Sequence, residues 1–289
     1  MAGLKEVRER ITSISSTMQI TSAMKMVSAA KLRRAQDAIT GMRPYAAKLK
    51  EILESLSASL DASEGGDYSV ERPIEKVLVV AVSSNRGLCG GFNSNVNKQV
   101  MALASGAYAG KEVSVLSIGK KSGEFLERRG FNVISRHDGI YDSLNFETVA
   151  PIAEKVMEDF LNGDYDRVDI VYNQFKNAAT QICVAEQYLP VAPPEEKESG
   201  ANADYIFEPA KAEIVQDLIP RSLKTQLYKA TLDSHASEHG ARMTAMHKAT
   251  DNASDLLYEL KLSYNKARQA AITNEILEIV GGAAALEEG

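Results

Sequence analysis

The chain has 289 residues, of which 44% are hydrophobic and 25% charged, a composition that suits one large or two modest soluble globular domains. Its longest apolar run, Val77–Val82, is only six residues, far too short for a membrane span, and charged residues interrupt the first ten positions, so no signal peptide is expected. Tryptophan is absent and the two cysteines, Cys89 and Cys183, lack metal-type spacing, which predicts a cytosolic protein without an aromatic-lined pocket or a disulfide framework.

The N-terminal segment predicts one helix of a coiled coil over residues 1–60. Alternating steps of three and four residues from Leu4 visit 17 positions, and 14 of them are apolar. The exceptions are Thr21, Lys25 and Ser28. A repeat of 3.5 residues held this long is typical of a helix that pairs with another helix in a left-handed supercoil. At 1.5 Å per residue the helix would be roughly 85 Å long.

The same segment is basic and carries one helix breaker. Residues 1–50 hold ten Lys/Arg and three Asp/Glu, a local charge of +7, which leaves −13 for the rest of the chain within the total of −6. This excess predicts either an acidic partner or a solvated helix face. Pro44, with Gly41 shortly before it, is expected to kink the helix.

The central part of the chain, about 74–192, predicts a small α/β domain. It is bounded by two polar stretches with glycine and proline, residues 61–73 and 192–204, that are typical of loops. Apolar, β-branched runs alternate with helical stretches, which predicts a mostly parallel sheet with helices on its faces. The predicted strands cover 76–82, 112–119, 167–175 and 181–191, and the predicted helices lie near 92–108, 120–129 and 145–161.

The C-terminal segment, 209–286, predicts a second long helix, since no proline follows Pro220. Two helices that each carry an apolar stripe must bury it, and pairing with each other in antiparallel orientation is the economical solution. The predicted fold class is therefore α+α/β, an antiparallel coiled coil of the N- and C-terminal helices with an inserted Rossmann-like domain. The predicted C-terminal seam consists of Ala249, Ala253, Leu256, Leu260, Ala267 and Ala271.

Two glycine-containing stretches in the central part fail the spacing of nucleotide-binding motifs. In "SSNRGLCGGFNSN", residues 83–95, the glycines match neither the Walker loop nor the dinucleotide loop. In "SIGKKSG", Ser114 stands where the Walker loop needs its first glycine and Lys121 where it needs Ser or Thr. The simplest interpretation is a tight turn between a strand and a helix.

Other candidate sites are equally weak. "HASEH", residues 235–239, fits the H-x-x-E-H pattern of inverted zinc peptidases, but a third ligand and a cleft are lacking, so exposed helix residues are expected there. Cys89 has no base nearby in sequence, although the fold could bring His137 close. The basic segment has a single aromatic residue, Tyr45, which argues against nucleic acid. No catalytic residue, cofactor or metal is therefore expected. A nucleotide-binding α/β enzyme with helical appendages and a self-associating coiled-coil scaffold stay open as alternatives.

Five separated stretches resemble the gamma subunit of F-type ATP synthases, in the same order along the chain. They include "RITSISSTMQITSAMKMVSAAKL" at 10–32, the turn at 83–95, "YIFEP" at 205–209 and "ASEHGARMTAMHKATDN" at 236–252. The C-terminal "ITNEILEIVGGAAAL" at 272–286 matches the family signature [IV]-T-x-E-x-x-[DE]-x-x-x-G-A. Ser16 and Asn85 depart conservatively from the family's Asn and Asp, and the loop at 192–204 lacks the cysteine pair of the chloroplast form.

The resemblance implies a non-catalytic rotor, one copy of which turns inside a ring of three alpha and three beta subunits. It implies an apolar tip at Ile276, Ile279 and Val280 and polar contacts with beta-subunit loops at Arg268, Gln269, Thr273, Glu275 and Glu278. It also implies contacts of Met24 and Arg242 with the beta subunits, and contacts of the basic Lys25, Lys31, Arg33 and Arg34 with acidic beta loops. Tyr205, Phe207 and Glu208 resemble the part that meets the epsilon subunit and the membrane c-ring. The complex would lie on the cytoplasmic face of a bacterial inner membrane.

Overall fold

The computed structural model describes residues 4–57, 67–191 and 211–287. The chain divides into two compact units, a coil unit of residues 1–27 with 243–289, and a sheet unit of residues 28–242. Within the described ranges, no helix is both long and apolar enough to cross a membrane. The helices are α1 (Leu4–Ser57), α2 (Phe92–Ser105), α3 (Lys120–Arg128), α4 (Phe146–Leu161) and α5 (Lys211–Glu287), and the strands are β1 (Lys76–Val82), β2 (Glu112–Ile118), β3 (Asn132–His137), β4 (Arg167–Phe175) and β5 (Gln181–Leu189).

The sheet has the order β3-β2-β1-β4-β5 and confirms the predicted mostly parallel arrangement. Strands β1 to β4 are parallel and β5 pairs antiparallel with β4 at one edge. All four predicted strands are present, whereas β3 was missed. Its sequence, NVISRH, is polar and half-exposed at the other edge of the sheet, so it lacks the apolar run that marks a buried strand.

Alternate residues of β1 supply the two halves of the core, as the two-residue period of a strand requires. Leu78, Val80 and Val82 belong to a cluster with α4 and with Ile219, Leu223 and Leu227 of α5. Val77, Val79 and Ala81 belong to a second cluster with α2 and α3. The sheet is therefore covered on both faces, which is why β1 is apolar throughout.

The predicted seam of α1 is confirmed in both units. Every buried residue described in this helix lies at one of the predicted positions. The polar Thr21 and Ser28 are buried among them, and Pro44 lies inside the helix without ending it. The buried positions are Val7 and Thr21 in the coil unit and Ser28, Leu32, Ala35, Ile39 and Leu49 in the sheet unit.

Helices α1 and α5 approach each other in each unit. In the coil unit Arg8 Nη2 donates to the Tyr264 hydroxyl at 2.9 Å, and the hydroxyl oxygens of Thr21 and Thr250 are 2.9 Å apart. In the sheet unit, Ile39 and Met42 line the same small cavity as Lys229 and Leu232. Within the coil unit the α5 number falls as the α1 number rises, so the two helices are antiparallel there.

The predicted seam of α5 needs a correction. Leu256 is 42% exposed and Ala271 is exposed, whereas Leu257 and Tyr264 are half-buried. Steps of four and three residues from the buried Met246 reach the actual seam, in which Ala253, Leu260 and Ala267 were correctly predicted. The two apolar leucines in sequence, 256 and 257, made the periodicity ambiguous. The observed seam positions are 246, 250, 253, 257, 260, 264 and 267.

Candidate functional site

The glycine-rich turn after β1 is closed by its own hydrogen bonds. Ser84 Oγ donates to the Arg86 carbonyl at 2.6 Å, and Asn93 Oδ1 accepts from the Ser84 backbone N–H at 3.0 Å. Asn85 Oδ1 accepts from the backbone N–H of Lys120 at 3.0 Å. Gly90 has a positive φ of 59°, a conformation that glycine adopts without strain. These contacts give the turn the structural role predicted from its spacing.

Helix α5 occupies the place where Rossmann-type sheets bind nucleotides. Such ligands lie at the carboxyl ends of the strands where the strand order reverses, here between β1 and β4. Ser234 Oγ donates to the Val82 carbonyl at 3.5 Å, and Ser237 Oγ donates to the Asn173 carbonyl at 2.9 Å. A Cβ on Gly240 would lie 3.1 Å from the Ala178 carbonyl oxygen, so glycine allows this close approach.

In the "HASEH" stretch His235 is half-buried and the other four residues are buried, which contradicts the expectation of exposed helix residues. Glu238 is 7% and His239 5% exposed. The ring of His235 stacks on Tyr141 with centroids 5.5 Å apart, and its Nε2 lies 3.1 Å from His239 Nε2. The sequence periodicity predicted these residues on a coiled-coil helix. In the sheet unit, however, α5 also packs against the carboxyl ends of the strands. Across the described ranges, no group of three or more His, Cys, Asp and Glu side chains could hold a metal ion.

Burial keeps both histidines neutral. It lowers the pKa of His235 to about 4, with further lowering by the positive charges of Lys31 and Arg242. Burial also lowers the pKa of His239 to about 3, and His235, Arg242 and Lys31 act in the same direction. A charged imidazole here would lose hydration and face two cations, so the neutral form is strongly favoured.

Arg242 uses all three guanidinium nitrogens within the chain. Its Nη1 donates to Glu238 Oε1 at 2.6 Å and lies 3.4 Å from His239 Nδ1. Its Nη2 donates to the Arg86 carbonyl at 3.0 Å, and its Nε and Nη2 reach the Gly87 carbonyl at 3.3 Å. Arg242 is only 8% exposed. The structure thus gives it an internal role, and its predicted contact with a partner subunit stays a prediction.

Cys89 has no histidine among its hydrogen-bond partners in the described chain. Its Sγ lies 3.8 Å from Ser84 Oγ and accepts from Asn93 Nδ2 at 3.3 Å. His137 instead contacts Ser135, with Nε2 2.8 Å from the hydroxyl. Burial raises the pKa of the Cys89 thiol, which disfavours the reactive thiolate. These contacts do not support a nucleophilic role.

In the coil unit, α1 presents a partly apolar surface. Met24 and Lys25 are half-buried. Ile20, Met26 and Val27 are 60%, 65% and 58% exposed, and the sequence analysis did not single them out. Their positions off the predicted seam, with Ile20 and Val27 seven residues apart, were the available signal. In the sheet unit, the basic residues Lys31, Arg33 and Arg34 are exposed.

The C-terminal part of α5 extends beyond the described start of α1. The pairs Arg8–Tyr264 and Thr21–Thr250 place Leu4 level with about residue 267 of α5. From 268 to 283 every residue is exposed. Exposed side chains here include the apolar Ile276, Leu277, Ile279 and Val280, which are 54%, 63%, 68% and 59% exposed, together with Arg268, Gln269, Thr273, Glu275 and Glu278.

The exposed apolar side chains distinguish this segment from a helix whose surface contacts only water. In proteins most helical stability comes from packing of an apolar face, and exposed apolar side chains cluster where a partner covers them. The prediction of partner contacts for this segment is not tested by the single chain. The residues predicted to contact the epsilon subunit and the c-ring, Tyr205, Phe207 and Glu208, lie outside the described residues.

Comparisons with known proteins agree over the whole chain. A family model described as ATP synthase matches residues 3–286. The chain is 64% identical to the ATP synthase gamma chain of Flavobacterium johnsoniae over 286 residues, with 99% of each chain covered. It is 53% identical to the ATP synthase gamma chain of Cytophaga hutchinsonii, again with 99% of each covered.

Solved structures show the same fold. A chain from the central stalk and c-ring of the Tetrahymena thermophila mitochondrial ATP synthase is 28% identical, with a TM-score of 0.61, and the match covers 80% of this chain and 99% of that one. A chain from the rotor of the Euglena gracilis mitochondrial ATP synthase is 22% identical, with a TM-score of 0.68 and coverage of 93% and 98%. The latter likeness concerns the fold alone.

Proposed function

Because the chain belongs to the ATP synthase gamma chain family, we propose that it is the central-stalk rotor subunit of a proton-translocating ATP synthase. It couples rotation of the membrane c-ring to conformational change at the catalytic sites on the beta subunits. It carries no active site of its own. Its partners are the alpha, beta and epsilon subunits and the c-ring, with one copy per complex.

The observation that carries this proposal is the exposed apolar C-terminal part of α5. An apolar helix surface that no other described residue covers requires cover from another subunit. Apolar contacts lack direction, so a helix held by them can turn within its surroundings. Ile276, Ile279 and Val280 are therefore proposed as the bearing surface inside the ring.

A single asymmetric chain inside a three-fold ring contacts each of the three equivalent subunits differently. It thereby favours a different conformation at each catalytic site, and rotation passes these conformations around the ring. The polar residues Arg268, Gln269, Thr273, Glu275 and Glu278 are proposed to make the directional contacts with beta-subunit loops.

The remaining predicted contacts follow the same assignment. Met24, Lys25, Lys31, Arg33, Arg34 and Arg242 are proposed to face the beta subunits, and Tyr205, Phe207 and Glu208 the epsilon subunit and the c-ring. The basic side chains would be attracted to acidic beta loops. The complex is proposed to lie on the cytoplasmic face of a bacterial inner membrane, which this chain reaches through its partners.

Affinity purification of the tagged full-length chain from native membranes tests the proposal. We expect alpha, beta and epsilon subunits and the c-ring to accompany it, with one tagged chain for each three beta subunits. Purification from membranes with the untagged chain is the control. Recovery of the tagged chain alone, or only with further copies of itself, would contradict the rotor assignment and favour a coiled-coil scaffold.

A second measurement distinguishes a rotor subunit from a nucleotide-binding α/β enzyme. Isothermal titration of the purified chain with ATP, NAD or zinc should give no stoichiometric binding, because α5 fills the ligand position of the sheet. Saturable binding of one nucleotide per chain would favour an α/β enzyme instead.

A further inference from the structure

Residues 234–242 of α5 join the helix to the sheet within the sheet unit. Ser234 and Ser237 are fully buried and donate to carbonyls of β1 and β4, while Arg242 donates to the turn that follows β1. Gly240 packs against Ala178, beyond the end of β4. These contacts thus join α5 to three places near the carboxyl ends of the strands, namely the end of β1, the turn after β1, and β4 with the residues that follow it.

Glu238 and Arg242 form the charged part of this junction. They are one helical turn apart, both nearly buried, and their side chains meet at 2.6 Å. A buried carboxylate fixes the guanidinium plane, because breaking such a pair leaves an uncompensated charge. With Nη1 held by Glu238, the other two nitrogens point at the carbonyls of Arg86 and Gly87.

The guanidinium geometry is specific. Lysine offers three donors on one nitrogen and no planar fork, so it cannot reach Glu238 and both carbonyls in the same way. Arg242 contributes three side-chain hydrogen bonds from α5 to the carbonyls of Arg86 and Gly87 in the turn at 83–95. The orientation of Arg242 therefore controls these hydrogen bonds between α5 and the turn.

We propose that Glu238 is a positioning residue that holds Arg242 on the carbonyls of Arg86 and Gly87 and so locks the sheet to α5 under torque. This inference rests on the proposed rotor function, in which force from the c-ring enters through the sheet unit and leaves through the helices. A locked junction transmits rotation, whereas a junction that opens locally under load lets the c-ring and the helices move out of step.

The test uses the complete ATP synthase in sealed vesicles, with ATP-driven proton pumping and ATP hydrolysis measured on the same preparation. Glu238→Ala should leave the initial pumping rate per ATP near that of the wild type, when the opposing gradient is small. The maximal proton gradient should fall by at least about twofold, because the weakened junction opens when the load is high. A loss that appears only under load is not expected of a general folding defect.

Three further variants show whether the effect of Glu238→Ala comes from the loss of this carboxylate. Glu259→Ala removes an exposed carboxylate from the same helix and should keep the wild-type gradient. Glu238→Asp should restore part of the loss, and hydrogen exchange at residues 83–91 should be at least about tenfold faster in Glu238→Ala than in Glu259→Ala. If Glu238→Ala fails to assemble, Glu238→Gln, which keeps the shape without the charge, decides the question by the same readouts.

An unchanged maximal gradient in assembled Glu238→Ala, or in Glu238→Gln if Glu238→Ala fails to assemble, would overturn the inference, and so would an equal loss in Glu259→Ala. Neither result would affect the proposed function, which is tested separately by copurification of the wild-type chain with the alpha and beta subunits and by nucleotide titration.

Discussion

Gly119 lies where the backbone after β2 passes close to the backbone after β1 in the sheet unit. It follows β2 with a positive φ of 94°, and its backbone runs directly beside Ser83 at the end of β1. A Cβ built on Gly119 would lie 2.2 Å from the Ser83 carbonyl oxygen, a distance that backbone atoms cannot accommodate without moving. Both the positive φ and the lack of room for a Cβ therefore require glycine at this position.

Gly119→Ala should lower the free energy of unfolding by about 3 kcal/mol or more, since backbone strain and a backbone clash add. Gly110→Ala is the matched control, because Gly110 also has a positive φ, 77°, but open space around it. That variant should cost about 1 kcal/mol. Urea unfolding of the purified chains measures both, and equal effects would show that the clash at Ser83 contributes nothing.

The buried histidines predict a loss of stability in acid. Their pKa values are depressed to about 4 and about 3 in the folded chain, so on acidification below about 6.5 the unfolded chain binds protons first. The stabilisation is complete above this range and is lost as the pH falls from about 6.5 towards 3. Burial raises the pKa of Glu238, against the opposing effect of Arg242, and protonation of Glu238 offsets part of the loss.

His235→Phe tests this dependence because phenylalanine keeps the ring beside Tyr141 and removes the titrating group. The groups facing His235 are Tyr141, His239, Lys31 and Arg242. One pKa unit corresponds to about 1.4 kcal/mol, so the effect is measurable. The melting temperature of the variant should vary less than that of the wild type between pH 7 and pH 5. Parallel curves for the two chains would contradict the assignment.

At the scale of elements, the seam of α5 distinguishes two neighbouring leucines. Leu257 is half-buried at a seam position, whereas Leu256 is 42% exposed beside it. Leu257→Ala should lower the free energy of unfolding of the purified chain by about 1–2 kcal/mol through lost apolar contact. Leu256→Ala should cost less than about 0.5 kcal/mol. The reverse order would restore the seam predicted from sequence and contradict the observed one.

The buried residues of a helix could be predicted from the sequence where the helix packs against one neighbouring element, but not where it packs against two. The α1 seam was predictable because one partner helix sets one period, and even the polar Thr21 fell on it. The residues 235–239 were not, because α5 meets both a helix and the edge of a sheet in the sheet unit, and a single period cannot describe two contact surfaces. Strand β3 escaped prediction because an edge strand needs no continuous apolar run.

At the scale of the whole molecule, the rotor function makes Met24 a sensitive position. Met24 is half-buried on α1 in the coil unit, next to the half-buried Lys25. Met24→Lys should allow assembly but weaken coupling, because it adds a cation that must be desolvated at the proposed contact of Met24 with the beta subunits. The measurement is the ratio of proton pumping to ATP hydrolysis in vesicles.

Ala23→Lys adds the same charge at the exposed neighbouring position and should have a smaller effect on that ratio. Unchanged coupling in Met24→Lys would count against the predicted contact of Met24 with the beta subunits.

The hydroxyl pair Thr21–Thr250 has a consequence for the free end of α5. Two helices with a regular seam can slide past each other by a heptad and still bury apolar side chains. Such a slip would break the hydrogen bond between these hydroxyls, although each also lies within hydrogen-bond distance of a carbonyl of its own helix, so the cost is about 0.5–1.5 kcal/mol for the one lost bond. Two threonines thus favour one register of α1 against α5 in the coil unit, and that register sets how far α5 extends beyond Leu4, the described start of α1.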